Sequence, residues 1–433
     1  MHRLDEGGWA RPTDQPVARY GSSSRRFPAR RMPRTRAILA GVIVLSFTVL
    51  PACAGTPGSG RTGTEPVPGG MEAGPAGPAP PPAGQELWAV DAASANDVWA
   101  VGVQHRDGSY RSRSLTFHWD GDAWSKVPSP DVGRLTDVTV PSHDAAWAVG
   151  GDRILFWDGG TWEVVAHSAP DGAYFYSIDA SGPADAWVVG VQYGAHWVDE
   201  DGERNVGFDT LAMHWDGSRW SVIPSPNGAP RHNVVQGVVT LAPNDAWAVG
   251  YSQAGQHPRT LTIHWDGSTW SLVPSPDPGT DFNVLWGIGT DGTNGVWALG
   301  HYGDPDSHFQ ALYLRLTGTE WDLATAPDGD ARHQTPTALS GASAGEVWAV
   351  GSEPTSSFLV AKWEGSSWSV FPAAVPPGAD FSASLTDVVV ISSTDAWAVG
   401  RYQGEGGGNQ ILALVEHWDG ARWRLVEMLG PDV

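Results

Sequence analysis

The 433-residue sequence contains one cysteine, Cys53. Disulfides within the chain, cysteine-based zinc sites and iron–sulfur clusters are therefore excluded. Charge is also scarce, with Asp, Glu, Lys and Arg together at 17%. That level argues against a helical bundle or coiled coil. Cations are scarcer still. Nine of the 26 Lys and Arg precede residue 53, against three acids (Asp5, Glu6, Asp14), so a net charge of −22 becomes −28 for the remainder. Such an acidic body is poorly suited to binding nucleic acid through phosphates. No phosphate loop and no nucleophile motif is present. What the chain has in excess is Gly (54), Pro (34) and Trp (24). Glycine and proline at this level, with ample apolar residues, predict an all-β protein of short strands joined by turns.

The N-terminus reads as an address. Arg25, Arg26, Arg30, Arg31, Arg34 and Arg36 precede an apolar run from Ala37 to Leu50, 14 residues long. That is the length of a signal-peptide core and short for a membrane span. The run ends in Leu50-Pro51-Ala52-Cys53, which resembles a bacterial lipobox. The resemblance implies lipid attachment at Cys53. Cleavage at Ala52-Cys53-Ala54 by an ordinary signal peptidase is an alternative, and a single-pass anchor including Pro51 and Cys53 is another. All three place the body outside the cytoplasm, because the arginines hold the N-terminus inside. Arg25-Arg26-Phe27 also resembles a twin-arginine signal, and translation from Met32 would give a compact 21-residue signal before Cys53. The expected organisation is an export signal over 1–53, a disordered Pro/Gly-rich tether over 54–85 and a folded body over 86–433. The tether has no periodic apolar pattern to bury. Its 32 residues reach roughly 30 Å as a coil and about 100 Å if fully extended.

Repeats fill the body. W-A-V-G or a close variant recurs with its Trp at 99, 147, 187, 247, 297, 348 and 397. A second signature, H-W-D-G-x-x-W, follows, with paired aromatics Trp119/Trp124, Trp157/Trp162, Trp215/Trp220, Trp265/Trp270, Trp363/Trp368 and Trp418/Trp423; one copy is degenerate, with Leu316 facing Trp321. Residues 86–433 divided by the number of copies give a period near 50. With strand-like content this predicts a seven-bladed β-propeller of four-stranded antiparallel blades, each made of contiguous chain. The ring would close by packing the last blade on the first, without a borrowed strand. Asp-Gly pairs such as Asp266-Gly267 sit in hairpin loops. Twenty of the 24 Trp occupy the three repeat positions and are expected to pack between blades.

These motifs resemble the bacterial BNR-like, kelch-like and tectonin-like β-propellers with D-x-W-A-V-G and H-W-D-G-x-x-W repeats. The resemblance covers 86–433. It implies a fold and leaves function to the loops. The hairpins differ from the sialidase Asp-box, because Asp and Gly are adjacent, as in Asp216-Gly217. Galactose-oxidase chemistry needs a cysteine crosslinked to tyrosine, and the single Cys lies in the expected export signal.

Strand alternation places the loops between second and third strands on the same face as the loops between blades. The longest of the former runs from Gly190 to about Phe208 and carries Trp197, while blade two has only Gly151-Asp152-Arg153. Variable loops on a rigid scaffold mark this face as the binding surface. The candidate ligand-binding residues precede the innermost strands: Tyr174, Phe175 and Tyr176; Arg231, His232 and Asn233; Asp281, Phe282 and Asn283; Arg332, His333 and Gln334; Asp380 and Phe381. Arg, His, Asn and aromatics together suit a sugar or a carboxylate. The competing reading is that they cap strand ends.

Asp137 and Asp387 share a register in the first strands, a position held in the other copies by Ala89, Ser177, Gly237, Gly287 and Ala338. Two acids near one axis suggest an acid/base pair or a calcium site. Their blades are separated by the first, which argues for too wide a gap. His118, His214, His264 and His417 occur once per blade, too far apart to share one metal, and are read as structural. No metal and no cofactor is expected. The leading functional reading is a monomeric extracellular binding propeller at the membrane surface, with a glycan or a protein as partner. A carbohydrate-active enzyme with its site at the channel mouth is the alternative, and a structural assembly factor of the cell envelope is the third.

Overall fold

The structure is a computed structural model. It describes residues 84–428 except 107–108, 199–203, 306–308, 328–333, 343–344, 354–357, 377–382 and 404–410. The expected export signal, Cys53 and nearly all of the expected tether lie outside the described residues. The first strand begins at Gln85, already paired with Gln104.

The described residues contain 28 strands and no α-helix. They form six sheets, five of four strands and one of eight. The eight-stranded sheet is two four-stranded meanders joined by a single parallel bridge, Phe208 with His232. Numbered in chain order, the meanders are units one to seven: Gln85–Lys126, Asp137–Val165, Tyr174–Ile223, His232–Leu272, Phe282–Leu323, Thr335–Val370 and Ser384–Leu425. Within each, consecutive strands pair antiparallel. First strands neighbour one another in a closed order, and that of unit seven touches that of unit one. They therefore surround a common axis.

Tryptophan joins the units. Trp99 of unit one packs against Trp157 and Trp162 of unit two, with ring centroids 4.8 and 5.1 Å away. The same contact repeats from Trp147 to Trp215 and Trp220, from Trp187 to Trp265 and Trp270, and from Trp247 to Trp321. It continues from Trp297 to Trp363 and Trp368, and from Trp348 to Trp418 and Trp423. Trp397 of unit seven completes the series against Trp119 and Trp124 of unit one, at 4.9 and 5.2 Å. Each large apolar core cluster accordingly spans two units.

The repeat histidines support these rings. His118 lies 4.5 Å from Trp99 and bonds Asp97 at 2.6 Å. His214, His264 and His417 pair with Asp185, Asp245 and Asp395 in the same way. Where the histidine is missing the acid changes with it. Unit two has Phe156 on Trp147 and Ala145 in place of the acid. Unit six has Lys362 over Trp348, bonded to Glu346. Unit five has Arg315 over Trp297 and Gly295 at the acid position. The group on the ring and its partner change together in units two and six, and in unit five Arg315 turns to Asp291 instead, which is the behaviour of a structural pair.

The Asp-Gly hairpins form as expected. Asp266 Oδ1 accepts the amides of Ser268 and Thr269 at 2.8 Å, and Gly267 has φ +91°. The long segment of unit three differs from the expected loop. Gly190 to Phe208 is mostly an extension of two paired strands, with Tyr193 opposite Phe208. Alternating Val191, Tyr193 and Val206, Phe208 give it a strand period, and the two rings stack at 6.2 Å.

One core position is anomalous. Glu416 takes the place held by Phe117, Met213 and Ile263 in other units and is fully buried. Only its Oε2 has a partner, the Ala374 amide at 3.2 Å. Burial raises its pKa to about 7. Glu416→Met is expected to stabilise the fold by about 1–3 kcal/mol at pH 8, and by less at pH 5 where the carboxyl is already neutral. Chemical denaturation at the two pH values checks this.

Candidate functional site

The glycine of W-A-V-G shapes the end of the axis on the loop face. A Cβ on Gly102, Gly150, Gly190, Gly250, Gly300, Gly351 or Gly400 would lie 1.9–2.1 Å from a carbonyl oxygen of the first strand or, for Gly150, of Arg134 just before it. Only glycine admits that approach. Opposite it the first strand carries one extra residue. Leu87 pairs with Gly102 and Ala89 with Val101, so Trp88 is left as a bulge. The same shift leaves Tyr176, Gln236, Trp286, Thr337 and Thr386 unpaired in units three to seven, and Thr136 stands at this place in unit two.

Bulge residues do one of two jobs. Thr136, Thr337 and Thr386 donate to carbonyls of their own second strand and of the next unit's first strand. They stitch units together. Trp88, Tyr176, Gln236 and Trp286 are too large for that role and remain partly exposed. Around them stand residues two places before the bulge position, Arg134 ahead of the first strand of unit two and Tyr174 at the start of that of unit three, and residues just after the W-A-V-G glycine, Tyr251, His301 and Arg401.

These side chains form a connected crown. The Arg134 guanidinium lies 4.5 Å from the Trp88 ring centre, and that of Arg401 lies 5.3 Å from it. Tyr174 and Tyr176 have centroids 5.0 Å apart. Tyr251 meets Trp286 at 6.4 Å. Trp286 donates Nε1–H to His301 Nδ1 at 2.7 Å. Burial lowers the His301 pKa to about 4, so this imidazole is neutral and accepts. Burial also raises the pKa of Tyr174, Tyr176 and Tyr251, keeping their hydroxyls as donors at neutral pH. Glu86 is buried and bonds His105 at 2.7 Å and Arg401 at 2.5 Å. Among the described residues, unit six contributes only Thr335, Thr337 and Ser352, so this part of the crown is lopsided.

Further along the axis lies a ring of acids. Asp137 and Asp387 sit one residue beyond the bulge, in the shared register expected of them, opposite Val149 and Val399. Two more, Asp91 and Asp179, sit three residues beyond and were not singled out by the sequence. Each reaches the next unit: Asp387 to the Val90 amide at 2.8 Å, Asp91 to Val140 at 2.6 Å, Asp137 to Ile178 at 2.9 Å, Asp179 to Thr240 at 2.5 Å. Protein surrounds all four, although a part of each side chain meets solvent along the axis. Desolvation raises Asp91 to about 6 and Asp137 and Asp179 to about 7, and lifts Asp387 well above the carboxylate range. Mutual repulsion adds to each of the last three. The acids that suggested a pair or a calcium site are thus bonded to backbone amides. No cluster suited to a metal occurs among the described residues.

The candidates divide. Tyr174 and Tyr176 enter the crown. Phe175 between them points into the core and is fully buried. Asn233 and Asn283 are also fully buried. Asn283 bonds the amide and carbonyl of Gly279 at 2.7 Å, and Asn233 does the same with Ala229 at 2.8 Å. They pin the loop before each strand. Gln334 is buried and donates to Pro327 O. Ligand contact is closed to these four by burial. Asp281 bonds His257 across the two loop types at 2.8 Å, Phe282 packs on Phe309, and His232 lies 5.6 Å from Phe208. Together with half-buried Arg231 they form the outer rim. Arg332, His333, Asp380 and Phe381 lie outside the described residues, as does the Trp197 side chain.

Sequence reasoning missed Trp88, Arg134, Gln236, Tyr251, Trp286, His301 and Arg401. A signal existed. Only Trp9, Trp88, Trp197 and Trp286 fall outside the three repeat positions, and two of these stand in the crown. A groove of about 660 Å³ also opens on unit four, lined by Ser252, Arg259, Thr260, Ser275 and Asp277. Its polar groups satisfy one another, as Thr260 and Asp277 do at 2.8 Å, so it presents little for recognition.

No family model matches the chain, and no curated protein matches it. Solved structures do. One is "YCF48 bound to D1 peptide", at 15% identity and a TM-score of 0.45, covering 69% of this chain and 82% of that one. Another is Chaetomium thermophilum Sqt1 bound to the N-terminus of the ribosomal protein L10, at 11% identity and TM-score 0.45, covering 79% and 87%. A third is a mutant Aleuria aurantia lectin AAL in complex with Fucalpha1-6GlcNAc, at 12% identity and TM-score 0.42, covering 81% and 96%. These neighbours are β-propeller-like proteins.

Proposed function

We propose that the seven meanders are the blades of one β-propeller that binds without catalysis, taking a glycan or a protein partner at the crown. The crown itself carries this reading. Four bulge positions give up an inter-unit hydrogen bond and present aromatic or amide groups, a substitution that packing alone does not ask for. Aromatic faces beside fixed donors are the usual makings of a recognition site. Binding is favoured over catalysis because the described carboxylates at the crown and along the axis are committed. Glu86 is tied to Arg401 and His105, and the four aspartates hold amides. A glycosidase needs two carboxyls free to move protons at the mouth.

An assembly factor is favoured by a different observation. Val164, Val222, Leu272, Leu323, Val370 and Leu425 are exposed at one position of the outermost strands, where unit one has Lys126. This belt offers apolar contact around the rim.

Anchoring at the outer membrane surface through lipid on Cys53 completes the proposal, supported by the basic, apolar and small-residue order before it. Metabolic labelling with a fatty acid, lost in Cys53→Ala, tests it. For the crown, glycan and peptide arrays probed with the full chain are expected to give selective hits. Trp88→Ala with Trp286→Ala should weaken those hits by about 100-fold. Unchanged affinity would rule out the crown as the binding surface.

A further inference from the structure

We propose that the interface between units four and five holds a further site, on the turn face opposite the crown, that binds an indole ring. It goes beyond the crown as a binding surface and does not depend on it.

At the other interfaces, the third strand of one unit sets a tryptophan against the W-A-V-G ring of the unit before it. These are Trp119 on Trp397, Trp157 on Trp99, Trp215 on Trp147, Trp265 on Trp187, Trp363 on Trp297 and Trp418 on Trp348, with centroids 4.8–5.2 Å apart. Unit five carries Leu316 at this position, opposite Trp321 in the hairpin register that pairs Trp265 with Trp270. Trp247 therefore keeps one ring partner across the interface in place of two, Trp321 at 5.6 Å.

A pocket of about 340 Å³ opens at this place, lined by Leu241, Asp245, Trp247 and His264 from unit four and by Asn294 and Leu316 from unit five. That volume lies at the small end of ligand pockets. Its walls repeat those that an indole meets elsewhere. Trp187 with His214 against it is the wall for Trp265, and Trp247 with His264 stacked at 4.2 Å is the same wall here. Leu241 does not take up the space of the missing ring. Ile391 stands before Trp397 as Leu241 stands before Trp247, and Trp119 still packs in the same cluster as Ile391. Asp245 registers the opening. Its side chain is 43% exposed, against 3, 12 and 20% for Asp97, Asp185 and Asp395 in the equivalent histidine pairs.

The lining selects the ligand. Trp247 and His264 present aromatic surface, which favours a flat ring set tilted or edge-on. Asp245 gives Oδ1 to His264 at 2.9 Å, and Oδ2 remains as an acceptor for a ring N–H. The indoles built into other interfaces use their N–H in a similar way, Trp119 donating to Ala95 O, Trp215 to Pro183 O, Trp265 to Pro243 O and Trp418 to Ser393 O. A carboxylate in the wall also turns anions away. A neutral ring with one N–H donor meets these conditions. It can come from a free indole compound or from a tryptophan side chain of a partner.

The test titrates fluoroindole and N-acetyl-fluorotryptophan amide against the full chain and reads fluorine NMR. Fluoroindole is expected to bind, at least about tenfold more weakly in Leu316→Trp, which builds in the missing ring, and without loss in Leu316→Ala. The thermal midpoint of Leu316→Trp should rise by about 2 °C, as for a filled cavity. Leu316→Phe makes the same comparison should Leu316→Trp not fold. Binding of both probes admits a partner's side chain, binding of fluoroindole alone points to a free compound, and either supports the site. Binding of neither probe overturns it, as does binding that the filled variants leave unchanged. The Trp88→Ala, Trp286→Ala double variant is expected to bind fluoroindole as the parent chain does. Loss of binding in that variant alone would move the ring to the crown and overturn the site.

Discussion

Trp397→Ala is expected to lower stability by about 4 kcal/mol, near the upper end for single core truncations. The ring is almost fully buried and packs on Trp119 and Trp124 across the seam between the last unit and the first. No strand crosses that seam among the described residues. Its polar ties include Asp387 with the Val90 amide, Thr386 with Leu87 O and Arg401 with Glu86. Equivalent truncations inside the ring, such as Trp187→Ala, leave a chain connection next to the damaged interface. The seam variant should therefore lose more, and should show earlier hydrogen exchange in the first strands of units one and seven. Equal losses at the two sites would contradict the seam as the weaker closure.

The second large effect is a stability that rises on mild acidification. Asp91, Asp137, Asp179, Asp387 and Glu416 all have folded pKa values above those of the unfolded chain. A native state that holds protons the unfolded chain has released loses stability as pH rises through the folded values. Stability from Asp91, Asp137, Asp179 and Glu416 is thus complete below about pH 4 and lost by about pH 8, and Asp387 acts in the same direction. A tenfold difference in proton affinity between folded and unfolded chains is worth about 1.4 kcal/mol, so even a discounted sum over Asp91, Asp137, Asp179 and Glu416 gives about 3 kcal/mol between pH 8 and pH 5. The opposite trend belongs to Asp120, Asp158, Asp216, Asp266 and Asp419, whose pKa values are lowered by turn amides and side-chain donors. Their contribution is present above the usual carboxylate value and disappears as pH falls below it. The thermal midpoint should therefore peak near pH 5, about 5 °C above its value at pH 8. A midpoint flat from pH 5 to pH 8 would mean that the ring acids are ionised throughout.

The groups facing these acids couple their ionisation. Asp137 feels Asp91, Asp179 feels both, and Asp387 feels Asp137 and Asp91. The backbone amides they accept are the countering influence, and Thr139 and Ser177 add hydroxyls. Arg134 and Arg401 lie at the crown, at the other side of the bulge. The same acids thus join neighbouring units through amides and repel one another across the axis.

Much of the strand content was legible because one motif does several jobs. W-A-V-G carries the ring that packs on the next unit, two small residues that fit between sheets, and the glycine that admits the bulge. H-W-D-G-x-x-W carries the ring's support and the hairpin. What was not legible follows from the same bulge. It shifts the strand's register by one, so residues two apart on either side of it do not share a face in the ordinary way. Asp137 and Asp387 were visible as one register, while Asp91 and Asp179 belong to the next turn of the pleat. Asn233 and Asn283 resemble ligand-binding residues in the sequence because an Asn beside His or Phe in a loop looks the same whether its amide faces solvent or its own backbone. Their bonds to residues four places earlier have no periodic signature. Tyr174, Phe175 and Tyr176 were all candidates from their place before the innermost strand, and only the structure separates the buried Phe175 from the two tyrosines. Trp88 and Trp286 were visible only as tryptophans without a repeat, and their pairing with Arg134, Arg401 and His301 joins residues remote in sequence or hidden by the bulge.

Whether partners meet the crown is tested most directly by site-specific crosslinking. A photoreactive benzoylphenylalanine is placed at Gln236, in the crown, or at Val222, on the outer belt of the neighbouring unit, and the full chain is irradiated in the cells that produce it. A discrete crosslinked product is predicted from position 236 and none from position 222. A product from position 222 alone would move recognition to the outer belt and leave the crown without a role.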